Sequence, residues 1–553
     1  MKREWWHSLT VYQIYTRSFC DSNGDGIGDF GGILQKLDYL QELGVGAIWL
    51  SPFNDSPNYD NGYDVSDYYK VMEEAGTMEE LEELIAACEK REIVVMMDLV
   101  LNHSSHLHPW FLEARKDRNS KYHDFYIWKE GTKEQPPEGG GAFFGGSTWE
   151  WVPEVQEYYY HSFSVMQPDL NWKNPEVREE LKEVIRFWKA KGVKGFRFDV
   201  VNLISKPEIW EDDFEGDGRK FYTDGPYVHE YLKELVRDTG IEDYVTVGEM
   251  SSTTLEHCIR YSGAEEKELS MCFNFHHLKV DYKDGNKWEL MEPDYMELKV
   301  IFEKWQMGMQ RGNAWNALFW CNHDQPRIVS RFGNEGEYWK ESAKMLAGMI
   351  HLMRGTPYIY QGEEIGMTNP HYTSIEQYAD VESRNYYEIL LNEGKTKEEA
   401  LEILAARSRD NSRTPMQWTD ERYCGFSDTK PWIPVSDNFE KINVKKQKQD
   451  RDSILEFYKK LIMLRKEKEV IARGNIEFME VENAGVLAYT RCLDKQKLLV
   501  CCNFRDVESQ MEFTQEWKSG RKILGNYEEN HKNNYKVLTL RPYEIIVLEK
   551  GEE

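Results

Sequence analysis

The sequence predicts an α/β chain: a (β/α)₈ TIM barrel with an excursion domain after its third strand and an all-β domain at its C-terminal end. Three observations predict this. Short apolar runs recur with amphipathic, helix-like segments between them, the pattern of a parallel sheet with helical crossovers. The runs number eight, which closes a barrel rather than leaving an open sheet. Past about residue 480 the pattern changes to strand-like runs joined by turns.

In chain order the runs are Val11–Tyr15, Val45–Pro52, Ile93–Asn102, Gly195–Val201, Tyr244–Met250, Met271–Phe275, Ala317–Asn322 and Tyr358–Gly362. Helices are expected at Gly32–Leu43, Met78–Arg91, Pro175–Lys191, Tyr227–Asp238 and Leu298–Gln310, with a last one at Arg451–Arg473. About seventy residues separate Asn102 from Pro175, rich in Gly, Trp, Tyr and Pro and including Gly139-Gly-Gly-Ala-Phe-Phe-Gly-Gly. A gap of that size folds as a unit rather than as a plain loop. The expected division is therefore 1–102 with 172–480 as the barrel, 103–171 as the excursion, and 481–553 as a β-sandwich. In the last, Leu487–Arg491, Leu498–Asn503, Val537–Leu540 and Ile545–Leu548 read as strands.

The net charge of −28 argues against nucleic acid or an anionic membrane as a partner. No apolar leader follows Met1, and no apolar run is long enough to span a bilayer. The nine cysteines are scattered, without a metal or redox spacing, which suits free thiols in the cytoplasm. Aromatic residues make up 13%, enough both to fill cores and to stack on sugars. The expected partner is a disaccharide or its phosphate; the expected assembly is a monomer or weak dimer.

In such a barrel the active site lies at the C-terminal ends of the strands. Strand three ends Asp98-Leu-Val-Leu-Asn102-His103, strand four Arg197-Phe-Asp199-Val200, strand five Gly248-Glu249-Met250 and strand seven Asn322-His323-Asp324. A lone strand-end aspartate usually caps the next helix, but four such ends converge on one mouth. Cleaving a glycosidic bond requires one carboxylate at the anomeric carbon and one carboxylic acid at the leaving oxygen. Unlike environments divide those roles, and an arginine such as Arg197 keeps the first ionised.

These strand ends, together with Gln167-Pro-Asp-Leu-Asn171, resemble the signature regions of glycoside hydrolase family 13, the α-amylase superfamily, and the resemblance runs from Trp5 to the C-terminus. It implies a retaining α-glucosidase with Asp199 as nucleophile, Glu249 as acid/base and Asp324 as the third carboxylate. It implies His103, Arg197 and His323 as ligands of the sugar in subsite −1, with Tyr63 stacking on it. Asp60 and Arg409 would grip the non-reducing end and make the enzyme exo-acting; a buried structural ion pair is the alternative. Phe198 and Thr16 depart mildly from the family's usual residues.

Asp21-Ser-Asn23-Gly-Asp25-Gly-Ile27-Gly-Asp29 alternates oxygen ligands with turning glycines, as a Ca²⁺ loop does. The resemblance implies one structural Ca²⁺ on Asp21, Asn23, Asp25, the Ile27 carbonyl and Asp29, with Mg²⁺ as the alternative. No organic cofactor is expected.

Within the family, Val200 resembles enzymes that cut α-1,6 or α,α-1,1 bonds. Asn202–Lys206, Phe221–Pro226, Gly248–Thr253, Phe275–Tyr282 and Trp315–Asp324 resemble members acting on α,α-trehalose 6-phosphate; members acting on isomaltose ends are the alternative. A non-catalytic transporter-associated relative would have a degraded catalytic set, and a sucrose isomerase would have to exclude water. A phosphorylated substrate needs cations near subsite +1. His276, His277 and Lys279 follow strand six, with Lys283 and Lys287 beyond; Lys206 and Arg327 follow strands four and seven. The candidate phosphate ligands are Lys206, His277, Lys279, Lys287 and Arg327.

Overall fold

A computed structural model describes residues 5–138, 140–210, 222–512, 514–528 and 537–550. Gly139 and Phe221, each part of a stretch singled out in the sequence, lie outside the described residues. Eight strands form the central sheet: β1 (Val11–Ile14), β2 (Ala47–Leu50), β3 (Val94–Leu99), β4 (Gly195–Phe198), β5 (Val245–Glu249), β6 (Met271–Phe273), β7 (Ala317–Leu318) and β8 (Thr356–Tyr360). Each falls at one of the eight apolar runs. The order β6-β5-β4-β3-β2-β1-β8-β7 is parallel throughout. A parallel bridge from Cys272 to Asn316 brings its two edges together as a barrel. The strands are covered on both faces, which is why they read as unbroken apolar runs.

Register sets up the site. Asp98 on β3 lies opposite Arg197 on β4, and Arg197 lies opposite Val247 on β5, two residues before Glu249. The strand ends are thus level at one rim of the barrel.

The helices follow their start signals. Thr77 and Glu80 form a capping box on Met78–Glu89. Asn174 caps Pro175–Ala190, with proline at the first turn. The expected helix Gly32–Leu43 is two pieces, Phe30–Gln35 and Leu37–Leu43, because Lys36 leaves helical geometry at φ −103°, ψ 5°. The expected helix Arg451–Arg473 likewise divides into Ile454–Glu467 and Glu469–Arg473, where Lys468 is extended.

The excursion contains a three-stranded antiparallel sheet, with Glu157–Tyr160 between Trp128–Glu130 and Trp149–Val152. The C-terminal unit begins earlier than expected. Strand β9 (Asn475–Met479) pairs antiparallel with β10 (Val486–Leu493), so a boundary at 481 would split a hairpin. The remaining strands are β11 (Gln496–Asn503), β12 (Ser509–Glu512), β13 (Arg521–Gly525), β14 (Val537–Leu540) and β15 (Ile545–Lys550). One face of the five-stranded sheet (Val486, Ala488, Leu499, Cys501) packs on Met511, Leu538 and Leu540 of the two-stranded sheet. The other face (Leu487, Tyr489, Val500, Cys502) joins the barrel core. All nine cysteines are free. Among the described residues, no helix is long and apolar enough to cross a membrane.

Candidate active site

The rim of the barrel opens into a cavity of about 430 Å³. Asp199, Glu249 and Asp324 line it, as do Asp60, Tyr63, His103 and Arg409. Arg197 is almost wholly buried just behind the wall. Its Nη1 donates to Asp98 at 2.7 Å and to Asp199 at 2.6 Å, and its Nη2 donates to Glu249. Asp199 and Glu249 therefore share one guanidinium fork. This favours the close spacing of a retaining pair, about 5 Å, over the wider gap of about 6.5–9.5 Å that an inverting enzyme leaves for water. Burial pushes the Asp199 carboxyl well above the carboxylate range; Arg197 opposes, while Glu249 and Asp98 reinforce the rise.

Val200, next to Asp199, sits in the left-handed region at φ 34°, ψ 40°. A β-branched residue there costs about 1–3 kcal/mol. The turn aims the Val200 N–H at Glu249 Oε2, 3.3 Å away. Strain at this point is matched by a contact to the second carboxyl.

Asp324 receives Arg413 Nη2 at 2.7 Å, Arg409 Nη1 at 3.3 Å and His323 Nε2 at 3.0 Å. Burial alone would raise its pKa, but His323, Arg409 and Arg413 hold it well below the usual range. Arg409 Nη2 also reaches Asp60 Oδ1 at 3.2 Å. Burial pushes Asp60 up to about 6 against the pull of Arg409 and Arg413. The Asp60–Arg409 pair is thus an ion pair that also faces the cavity.

Tyr63 donates to Asp98 at 2.9 Å, and its oxygen lies 2.7 Å from His323 Nε2. Gln13 donates to His323 Nδ1 at 2.8 Å, which makes Nδ1 the acceptor and leaves the proton on Nε2. The Tyr63 and His323 rings are parallel, with centroids 5.3 Å apart. His323 and Arg197, expected as direct sugar ligands, do not line the cavity; they lie one layer back and fix Tyr63, Asp324 and Asp199. Burial pushes His103 down to about 4, so the imidazole is neutral near pH 7.

The five candidate phosphate ligands separate. Lys279 and Lys287 line the cavity. The other three, expected to bind phosphate, do not line it. Lys206 is buried against Asp169 at 2.6 Å and donates to Asn102 and the Leu203 carbonyl, pinning the end of the excursion to the barrel. His277 is buried, with Nε2 2.8 Å from the Phe319 carbonyl. Arg327 is buried and donates to the carbonyls of Gln361 and Ser412. Each of these polar groups is claimed by a buried acceptor inside the protein. Lys283 pairs with Glu289 at 3.4 Å in the open, and His276 packs on Trp305.

The loop Asp21–Asp29 is built of oxygen ligands. Asp21, Asn23 and Asp25 each accept backbone N–H groups two residues on, and Gly24 and Gly26 supply φ of 82° and 91°. Among the described residues no lysine or arginine pairs with Asp21 or Asp25. This set fits a hard cation such as Ca²⁺. Asp29, however, also caps helix Phe30–Gln35 through Gly32 N at 2.6 Å and binds Ser22. No three His, Cys, Asp or Glu side chains converge on a metal position among the described residues, so an ion would lean on Asn23 and the Ile27 carbonyl as well.

Several site residues had no role assigned in the sequence. Asp98 holds Arg197 and Tyr63. Asp380, fully buried, accepts Arg409 Nε at 3.0 Å and Arg413 Nη1 at 3.3 Å. Gln167 reaches Asp60 at 3.1 Å. Asp98 and Gln167 lie within the strand end and the Gln167–Asn171 stretch quoted from the sequence; Asp380 and Glu382 lie at a helix start that capping alone would explain.

Residues 13–474 match the alpha amylase catalytic domain and residues 476–547 the maltogenic amylase C-terminal domain. The chain belongs to glycoside hydrolase family 13. It is 50% identical over 550 residues to the trehalose-6-phosphate hydrolase of Escherichia coli K12, covering 98% of each chain. It is 47% identical over 556 residues to the oligo-1,6-glucosidase of Bacillus cereus, covering 99% of each. The crystal structure of Bacillus licheniformis trehalose-6-phosphate hydrolase superposes with a TM-score of 0.94 at 50% identity, covering 99% of this chain and 100% of that one. This family 13 chain is a glycoside hydrolase, and Asp199, Glu249 and Asp324 line the cavity where the barrel's strand ends converge.

Proposed function

We propose that this enzyme hydrolyses α,α-trehalose 6-phosphate to glucose and glucose 6-phosphate with retention of configuration. The observation that carries the reading is that Lys279 and Lys287 face the same cavity as Asp199 and Glu249 in a chain of net charge −28. A phosphate monoester needs cations of this kind beside the leaving sugar. The loop that carries Lys279 is held by Asp281, which accepts Arg331 Nε at 2.8 Å and also binds Arg407.

The non-reducing glucose occupies the closed end between Tyr63, Asp60 and Arg409. Asp199 attacks its anomeric carbon while protonated Glu249 donates to the bridging oxygen, releasing glucose 6-phosphate. Glu249 then takes a proton from water, whose oxygen displaces Asp199 and frees α-glucose. Asp324, kept ionised by Arg413 and Arg409, holds ring hydroxyls as the positive charge develops.

A second reading is an oligo-1,6-glucosidase acting on isomaltose ends. The pairing of Lys287 with Glu382 favours it, because that lysine's charge is already matched. Glucose release from trehalose 6-phosphate, trehalose, isomaltose, maltose and sucrose at equal concentration, with Asp199→Asn as control, separates the two. Preference for trehalose 6-phosphate over trehalose supports the first; activity on isomaltose with trehalose 6-phosphate inert supports the second.

We also propose that Asp21–Asp29 holds a structural Ca²⁺, supported by its oxygen-only ligands and the absence of a paired cation among the described residues. A melting temperature unchanged by EGTA and by added Ca²⁺ would refute that. A reducing cytoplasm suits the nine free thiols.

A further inference from the structure

At the rim of the cavity the loop after β6 meets helix Val381–Asn392 through two contacts. Lys287 Nζ lies 2.7 Å from Glu382 Oε2, and the Trp288 ring stacks on Tyr386 with centroids 4.3 Å apart. Glu382 and Tyr386 are one helical turn apart and so present one face to the loop. The helix is fixed to the glucose-binding end of the cavity, since its cap Asp380 also binds Arg409. Glu382 Oε2 itself stands 3.6 Å from Arg409 Nε. Lys287, Trp288, Glu382 and Tyr386 all line the cavity, and the ion pair is largely withdrawn from water, with side-chain exposures of 19% and 13%.

A carboxylate held against the lysine that a phosphate needs has a chemical consequence. A neutral disaccharide meets a lysine whose charge is matched. A phosphate dianion must take the lysine from Glu382 or share it, and it meets a carboxylate of its own sign either way. Once displaced, Glu382 still has Arg409 Nε 3.6 Å away as a counter-charge. We propose that Glu382 is a specificity-determining residue that occupies Lys287 in the free enzyme and competes with the phosphate for it. This rests on the reading of the substrate as a sugar phosphate. The competition weakens the hold on the phosphorylated product as well as on the substrate, and so promotes release of glucose 6-phosphate.

The test uses the full-length enzyme and its Glu382→Gln, Lys287→Met and doubly substituted variants. Hydrolysis of p-nitrophenyl α-glucoside is inhibited with glucose 6-phosphate and, separately, with glucose. In Glu382→Gln the inhibition constant for glucose 6-phosphate falls about tenfold, while that for glucose stays put. Adding Lys287→Met abolishes the gain. Equal glucose 6-phosphate constants in wild type and Glu382→Gln, with trehalose 6-phosphate still preferred, overturn the proposal and leave the substrate reading standing. Parallel shifts for glucose and glucose 6-phosphate mark a merely structural residue and also overturn it. If glucose 6-phosphate binds no better than glucose in either protein, both readings fall. Should Glu382→Gln not fold, Glu382→Ala, which also removes the carboxylate, gives the same comparison.

Discussion

Replacing Asp98 with Asn removes one charge from the centre of the site and almost no volume. The Asp98 carboxylate is fully buried, and every neighbour that bonds it is a donor: Arg197 Nη1 at 2.7 Å, Trp49 Nε1 at 3.1 Å and Tyr63 O–H at 2.9 Å. A carboxylate accepts from all three, whereas an amide must turn its NH₂ toward one of them. A buried donor left facing a donor costs about 1–3 kcal/mol, and the lost counter-charge to Arg197 brings the expected destabilisation to about 3 kcal/mol. Arg197 and Tyr63 both lose an anchor, and a misplacement of about 1 Å at this point lowers kcat/KM about a hundredfold. The pH profile separates positioning from simple loss of stability. Asp98 raises the Asp199 carboxyl by repulsion. Without it, Asp199 ionises at lower pH, and the limb of the kcat/KM profile that Asp199 sets moves to the acid side. Calorimetric melting and a kcat/KM profile in pH supply the two measurements. A variant that melts like wild type, with unshifted limbs, would refute the reasoning.

Glu363 offers a stability test. It is fully buried and pushed up to about 7 by burial, with Tyr458 donating at 2.8 Å. The folded state therefore binds a proton more tightly than the unfolded chain, and stability is fully present below pH 4.5 and falls as pH rises toward 7, by about 1.4 kcal/mol per unit at most. Denaturant midpoints of Glu363→Gln against wild type across that window should lose this slope; identical pH dependence would show that Glu363 is ionised when buried. Lys206→Met tests whether Lys206 holds Asp169 or a substrate phosphate. It leaves Asp169 buried without its cation, costing about 3–5 kcal/mol, yet should lower activity on trehalose 6-phosphate and on a neutral glucoside alike. A selective loss on the phosphorylated substrate would restore Lys206 to the phosphate site.

Some of this molecule is legible one residue at a time. A strand covered on both faces has to be apolar throughout, so the eight barrel strands stand out as runs, and the residue that ends each run is forced to the rim. Asp199, Glu249 and Asp324 are readable as rim residues for that reason, whereas Asp60, Tyr63 and Arg409 lie outside the strand runs and are reached only through the family resemblance. The cations were harder. Lys206, His277 and Arg327 also follow strand ends, but position along the chain does not say which way a side chain turns. Asp169, the Phe319 carbonyl and the carbonyls of Gln361 and Ser412 claim them from inside. The last domain begins before residue 481 for a similar reason: Asn475–Met479 follows a helix in sequence but finds its partner in β10.

The sequence by itself determined the architecture and the chemistry, because burial periodicity and strand-end carboxylates are local properties. The tertiary structure alone decided the electrostatics. It places one arginine between three carboxylates, sets Asp380 behind Arg409 across 29 residues, and lays Glu382 against Lys287 across 95. Charge pairs depend on distance in space, which sequence separation does not encode.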